Sequence, residues 1–106
     1  MALSFKSVTV QLGGSSASDA ALGSGLARWG FGVKFRAVDV ALKSFHIGYS
    51  DSDHNFFFQR IAIHNITTQE GDVHFDVFMK IRDDTHDANH FSGEIEALVI
   101  ADVEFP

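Results

Sequence analysis

The residues of this chain that could do chemistry are concentrated in one short polar stretch, Asp83 to His90. Within it, Asp83, Thr85, Asp87 and Asn89 stand at alternate positions, which resembles the spacing of oxygen ligands in a calcium-binding loop. The glycine and the distal glutamate that complete an EF-hand loop are missing at the required offsets. Three interpretations therefore stay open, in this order: a structural acidic loop, a loop that contacts sugar, and a site for a divalent cation.

The six histidines of the sequence are the second group of candidate residues. His86 and His90 are four positions apart, but no helix is predicted that would place both on one face. His64 and His74 are expected to face each other across two neighbouring strands. Because scattered imidazoles on strands are usually surface residues, the pattern does not favour a transition-metal site.

The motifs of enzymes are missing from the sequence. It contains no glycine-rich phosphate loop, no nucleophile elbow, no HExxH motif and no serine with a histidine and a carboxylate in a recognisable frame. The carboxylates of Asp83 and Asp84 are adjacent, so on a strand they point in opposite directions and do not share a proton. The sequence therefore predicts a protein that is not an enzyme and that uses no cofactor.

The element that precedes the polar stretch is the clearest strand of the chain. From Asp72 to Arg82 every second residue is apolar, and a period of two indicates a strand with one buried and one solvated face. These apolar residues are Val73, Phe75, Val77, Met79 and Ile81. Half-buried strands of this kind are typical of antiparallel sheets.

Five more strands are predicted. A glycine-rich loop is expected at Gly13–Gly25, and within it Ser18–Leu22 could form one helical turn. The strands are Ser4–Leu12, Arg28–Phe35, a third from Val38 to Tyr49 with a bulge near Lys43-Ser44, Phe56–Ile66, and about Ser92 to Glu104. Thr67–Gly71 is expected to connect the fourth and fifth strands as a hairpin. The sequence thus predicts one domain over residues 1–106, a six-stranded antiparallel β-sandwich. Because several strands are apolar on both faces, a homo-oligomer is expected.

Composition excludes several classes of function. The net charge of the 106-residue chain is −6, so a surface that neutralises nucleic-acid phosphates is not expected. There is no cysteine, and hence no disulfide or thiolate site. No signal peptide and no membrane-spanning segment is visible, so the prediction is a soluble protein without membrane contact, either cytoplasmic or secreted without a visible signal peptide.

Four short segments carry a resemblance to a known family. They are Val38-Asp39-Val40-Ala41-Leu42, Arg60 to Thr67 before a glycine-containing turn, Ile81-Arg82-Asp83-Asp84-Thr85, and Leu98-Val99-Ile100-Ala101. With these segments, the chain from about Val33 to Glu104 resembles the H-type lectin domain. The resemblance implies a six-stranded antiparallel sandwich that assembles as a trimer. It also implies binding of galactose or N-acetylgalactosamine-type sugars near subunit boundaries.

The resemblance also implies a set of sugar-binding residues. Asp83 takes the position of the sugar-contacting residue at the end of the fifth strand, and Arg82 stands where the family has tryptophan. Asp84 follows in the same segment, Arg60 matches a basic residue of the preceding strand, and Asp19 matches an acidic residue early in the chain. A carboxylate can accept hydrogen bonds from two vicinal hydroxyls, and a guanidinium can donate to ring or acetamido oxygens.

The sequence therefore predicts a carbohydrate-binding homo-oligomer, a trimer or a multiple of one. Two alternatives stay open. A non-catalytic assembly protein with the same sandwich and no sugar site is favoured by Arg82, because the family's apolar platform is missing there. A small metal-dependent enzyme is the second alternative.

Overall fold

A computed structural model describes residues 2–14, 20–49, 56–83 and 91–106 of the chain. These residues form six strands, and all strand pairs are antiparallel. The strands are β1 (Ala2–Gly14), β2 (Ala20–Arg28), β3 (Lys34–Tyr49), β4 (Phe56–Gln69), β5 (Asp72–Asp83) and β6 (Phe91–Glu104). The predicted all-β fold with six antiparallel strands is confirmed. Within the described ranges no helix has the length and hydropathy needed to cross a membrane.

The strands belong to one continuous sheet with the order β3-β6-β1-β2-β5-β4. The sheet has two halves, β3-β6-β1 and β2-β5-β4, and within each half the strands pair over most of their length. The two halves are connected through β1 and β2 by the pairs Gly13–Leu22 and Gly14–Ala21. The edge strands β3 and β4 contact each other, so the sheet is nearly closed around its apolar interior.

The core lies on the inner face of this sheet and consists of alternate residues from most of the strands. β5 contributes Val73, Phe75, Val77 and Met79, each at most 1% exposed. β6 contributes Ile95, Ala97, Val99, Ala101 and Val103, and β1 contributes Val10 and Leu12. The predicted alternation of β5 is therefore confirmed for these four residues.

The prediction of a strand at Arg28–Phe35 is wrong. β2 ends at Arg28, and the chain then turns through Gly30 and Gly32, which have φ angles of 113° and 89°. The side chain of Phe31 at the tip of this turn is 89% exposed, so it does not belong to an apolar strand face. Positive φ angles suit glycine, which explains why the two glycines are found in a turn here.

The prediction of a loop at Gly13–Gly25 is wrong for most of that range, because Gly13 and Gly14 end β1 and β2 begins at Ala20. Since Ala20 to Leu22 are in a strand, the helical turn considered at Ser18–Leu22 does not form there.

The inner positions of β2 are Gly23, Gly25 and Ala27, which pair with Val77, Phe75 and Val73 of β5. A methyl group on Gly25 would overlap the ring of Phe75. The small residues of β2 therefore leave the space that the large side chains of β5 occupy.

The register of the sheet shifts at four places. The shift between Leu42 and Ser44 of β3 confirms the predicted bulge near Lys43-Ser44. A second shift in β3 lies between Phe35 and Ala37, and β4 has one near its start. The fourth, between His64 and Thr67 of β4, includes Asn65 with a φ of 53°.

The hairpin between β4 and β5 is shorter than predicted. β4 continues to Gln69, so the connection consists of Glu70 and Gly71. Both have positive φ angles, 48° and 84°. Two consecutive positive φ angles are typical of a two-residue type I′ turn, whose twist matches that of the flanking strands.

The molecule is elongated, with principal extents of 53 × 21 × 17 Å. Its radius of gyration is 16.1 Å, whereas a compact chain of this length would have about 13 Å. An elongated shape exposes more surface per residue than a compact one. Apolar side chains consequently remain exposed on the outer surface of both halves of the sheet, including Phe5 of β1 and Leu22 of β2.

Candidate functional site

The outer face of strands β2, β5 and β4 presents side chains in rows that run across the strands. We call the first row the acidic row. It consists of Ser24, Asp76 and His64, and Asp76 pairs with each of the other two. Residues that pair directly across an antiparallel sheet project from the same face. The carboxylate of Asp76 therefore lies between a hydroxyl on one side and an imidazole on the other.

The carboxylate of Asp76 is held by two hydrogen bonds. The hydroxyl of Ser24 donates to Oδ1 at 3.0 Å, and the side-chain amide of Asn65 donates to Oδ2 at 3.0 Å. Asn65 is placed for this contact by the bulge in β4, because it lies between the paired residues His64 and Thr67. Each carboxylate oxygen has a second lone-pair position, so Asp76 can still accept two hydrogen bonds from a ligand.

These hydrogen bonds also affect the charge of the site. The amide of Asn65, and then the hydroxyl of Ser24, lower the pKa of the Asp76 carboxyl; desolvation opposes them, and the nearby His64 adds to the lowering. Asp76 is therefore ionised at neutral pH. It is an acceptor of hydrogen bonds there and not a donor.

We expect the substitution Asn65→Gly to raise the pKa of the Asp76 carboxyl. Glycine tolerates the positive φ at this position, so the change removes the amide donor and keeps the bulge. A lowered folded-state pKa stabilises the protein at neutral pH, and this contribution is lost as the pH falls through that value. Titration of the Asp76 carboxyl carbon by NMR measures the shift, and an unchanged pKa in the variant would show that Asn65 does not control it.

Two further rows lie next to the acidic row on the same face. The apolar row contains Leu22, Phe78 and Ala62, and the basic row contains Lys80 and Arg60. Leu22 is 66% exposed, and Phe78 and Ala62 are half-buried. Successive rows are two residues apart along β5, which corresponds to about 7 Å. The acidic and basic rows are thus about 14 Å apart, with the apolar row between them.

The surface beside the acidic row is concave. Leu22, Ser24, His64 and Asp76 line it, together with Gly23 and Val77. Gly23 belongs to the inner-facing set of β2, and it brings no side chain to this surface. A ligand at this position would therefore contact a carboxylate, a hydroxyl, an imidazole and the apolar side chain of Leu22.

Of the site residues predicted from the sequence, Arg60 is the one whose side chain the structure describes. Arg60 is exposed and belongs to the basic row, where it pairs with Lys80. Arg82 and Asp83 are the last two residues of β5; their backbones pair with Phe58 and Phe56, next to the basic row along the strand. Their side chains are outside the described part of the structure. Asp84 and Asp19 lie outside the described residues, as do Thr85 to His90 of the predicted loop.

The expected opposition of His64 and His74 is wrong. His64 pairs with Asp76, and His74 pairs with Thr67, because the bulge in β4 shifts the register between them. Both imidazoles are exposed. Across the described ranges, no three histidine, aspartate or glutamate residues are grouped so that they could hold a metal ion.

Ser24, Asn65 and Asp76 were not identified as candidate site residues from the sequence. Asp76 was assigned only to the solvated face of its strand, and Ser24 to a loop. The hydroxyl of Ser24 donates to the carboxylate of Asp76, whereas a serine nucleophile activated by histidine donates to the imidazole.

Comparisons of the chain with models of protein families, with curated proteins and with solved structures found no match. The chemistry of the outer β2-β5-β4 face therefore has to be interpreted from its own residues.

Proposed function

We propose that this protein is a carbohydrate-binding homo-oligomer and that the outer β2-β5-β4 face contacts the sugar. The observation that carries the proposal is the order of the three rows on this face: an ionised and preoriented carboxylate, an apolar row, and a basic row. In this proposal the two halves of the nearly closed sheet act as the two layers of the sandwich that the sequence predicts.

Each row supplies one part of what a sugar requires. The free lone pairs of Asp76 accept hydrogen bonds from two neighbouring hydroxyls. The C–H face of a pyranose ring packs on Leu22 and Phe78, and the guanidinium of Arg60 donates to ring, hydroxyl or acetamido oxygens. Sugars of the galactose or N-acetylgalactosamine type, which the resemblance to H-type lectins implies, present all of these groups.

The end of β5 extends this site. Arg82 follows Lys80 of the basic row by two positions, so in this proposal it contacts a second ring or the reducing end of a longer glycan. Asp83 is adjacent to Arg82, and adjacent residues of a strand alternate between its two faces, so only one of the two belongs to this face. Individually weak sites of this kind gain affinity when an oligomer presents several of them. Self-association is therefore part of the proposed function.

A non-catalytic assembly protein without a sugar site is the second candidate. It is favoured by the apolar side chains that remain exposed on the β1-β6-β3 half of the sheet, far from the rows described above. The glycan experiment below separates it from the first candidate.

We expect the substitution Arg60→Ala to weaken glycan binding at least tenfold, because it removes the exposed donor of the basic row. The measurement is a glycan array, followed by titration calorimetry with the best ligand. Arg36→Ala is the matched control; Arg36 is also exposed and lies on β3 in the other half of the sheet. Wild-type protein that binds no glycan would contradict the carbohydrate proposal, and equal binding by both variants would remove Arg60 from the site.

A further inference from the structure

The imidazole of His64 lies beside the carboxylate of Asp76 on the outer β2-β5-β4 face. The two residues pair directly across β4 and β5, and side chains paired in this way have Cβ atoms about 4.5–5.5 Å apart. Of the histidines that the structure describes, His64 is the one that lines the concave surface beside the acidic row. The proposed sugar site therefore contains a group whose charge changes near neutral pH, because histidine titrates between about pH 5 and 8.

The charged groups around His64 come from the strands on either side of β4. On β5 they are Asp76 and, about 7 Å further along the strand, the exposed His74. β3 packs against β4 and contributes Arg36, whose guanidinium lies 3.6 Å from the carboxylate of Glu104. The basic row is about 14 Å from the acidic row. Asp76 is therefore the charged partner that directly faces His64.

The two protonation states of His64 offer different groups to a sugar. A neutral imidazole has one nitrogen that accepts a hydrogen bond, whereas both nitrogens of an imidazolium donate. An imidazolium beside Asp76 would also form a charge-assisted hydrogen bond with a free lone pair of that carboxylate, and such bonds are stronger than those from a neutral hydroxyl. Protonation of His64 therefore removes two acceptors for sugar hydroxyls, the ring nitrogen and one lone pair of Asp76.

The carboxylate of Asp76 does not change its charge over the same range of pH. The amide of Asn65, and then the hydroxyl of Ser24, hold the pKa of this carboxyl below its ordinary value. Asp76 is therefore ionised throughout the range in which histidine titrates. A change of sugar affinity in that range would come from the imidazole and not from the carboxylate.

We propose that His64 makes sugar binding at this face dependent on pH: the site binds sugar while the imidazole is neutral and releases it when the imidazole is protonated. The inference rests on the proposed function and adds a regulation of the same site. Sugar that is bound at neutral pH is then released in a mildly acidic solution.

The test is the affinity for free galactose and free N-acetylgalactosamine at about pH 7.5 and about pH 5.5, which lie on either side of the midpoint of histidine titration. NMR titration of the backbone amide signals measures it. Monosaccharides occupy one site at a time, so a change in the number of subunits does not alter the result through avidity. We expect the affinity of the wild type to fall about tenfold at the lower pH, the equivalent of one or two lost hydrogen bonds.

Two substitutions of His64 change its charge in opposite ways. His64→Gln is uncharged at both pH values, so its affinity should be the same at both. His64→Lys is positive at both, so it should bind as weakly at the higher pH as the wild type does at the lower one. His74→Gln is the matched control, because His74 is also exposed but pairs with Thr67 outside the acidic row, and it should keep the fall of the wild type.

Wild-type affinity that is equal or higher at the lower pH would overturn the inference and leave the sugar site in place. A fall that His64→Gln retains would also overturn it, because another group would then be the cause. Tight binding by His64→Lys at the higher pH would show that a positive charge beside Asp76 does not displace sugar. A protein that binds neither sugar at either pH would refute the carbohydrate proposal and the inference with it.

Discussion

Substitution of Phe75 by alanine is expected to cost about 3–5 kcal/mol of the free energy of unfolding, the range for truncation of a buried phenylalanine. The side chain is 1% exposed in the middle of β5 and belongs to the main core cluster. Its ring fills the space above Gly25 of β2, so no neighbouring side chain on that strand can relax into the cavity. The loss is a large part of the total stability of a domain of this size.

The matched control is Phe31→Ala, which removes the same side chain from a position that is 89% exposed. We expect the control to change the free energy of unfolding by less than about 0.5 kcal/mol. Urea denaturation at one fixed protein concentration measures both variants, since self-association would make stability depend on concentration. Equal losses in the two variants would show that Phe75 is not packed as the structure describes.

The comparison of β5 with β2 shows which parts of this fold can be predicted from sequence. β5 was predicted because its inner residues are large and apolar, so the period of two is visible in one chain segment. The inner residues of β2 are two glycines and an alanine, and their fit becomes visible only beside Phe75 and its neighbours. A strand with small inner residues, which leave room for the large side chains of its neighbour, has no hydrophobic pattern of its own.

The candidate site was predictable to a smaller extent, for a related reason. The acidic row brings Ser24, Asp76 and His64 together from three strands, and each residue is an ordinary polar position in its own segment. Their proximity depends on the strand order β2-β5-β4 and on the bulge at Asn65. Arg60 stays a prediction from the resemblance to a family, and the structure adds that it pairs with Lys80 on the same face.

Substitution of Gly71 by alanine is expected to lower the free energy of unfolding as much as a cavity in the core does, although it adds only one methyl group. Gly71 has a φ of 84°, where a side chain is strained, and its added Cβ would overlap the backbone of Gly30. The carbonyl of Gly71 accepts hydrogen bonds from the backbone N–H groups of Trp29 at 2.8 Å and Gly30 at 3.3 Å. Because backbone atoms cannot move aside as a flexible side chain can, the β2–β3 turn must separate from the β4–β5 turn.

We expect Gly71→Ala to cost more than about 3 kcal/mol, as the sum of φ strain, the steric overlap and two weakened hydrogen bonds. Gly30→Ala is the matched control, because its φ is 113° but an added Cβ there would meet no atom within 4 Å. That variant has the conformational strain without the overlap. We therefore expect it to lose about 1–3 kcal/mol of the free energy of unfolding. The difference between the two unfolding free energies, measured by urea denaturation, isolates the contact between the turns. If the two variants lose the same stability, strain alone accounts for the effect and the two turns are not packed against each other.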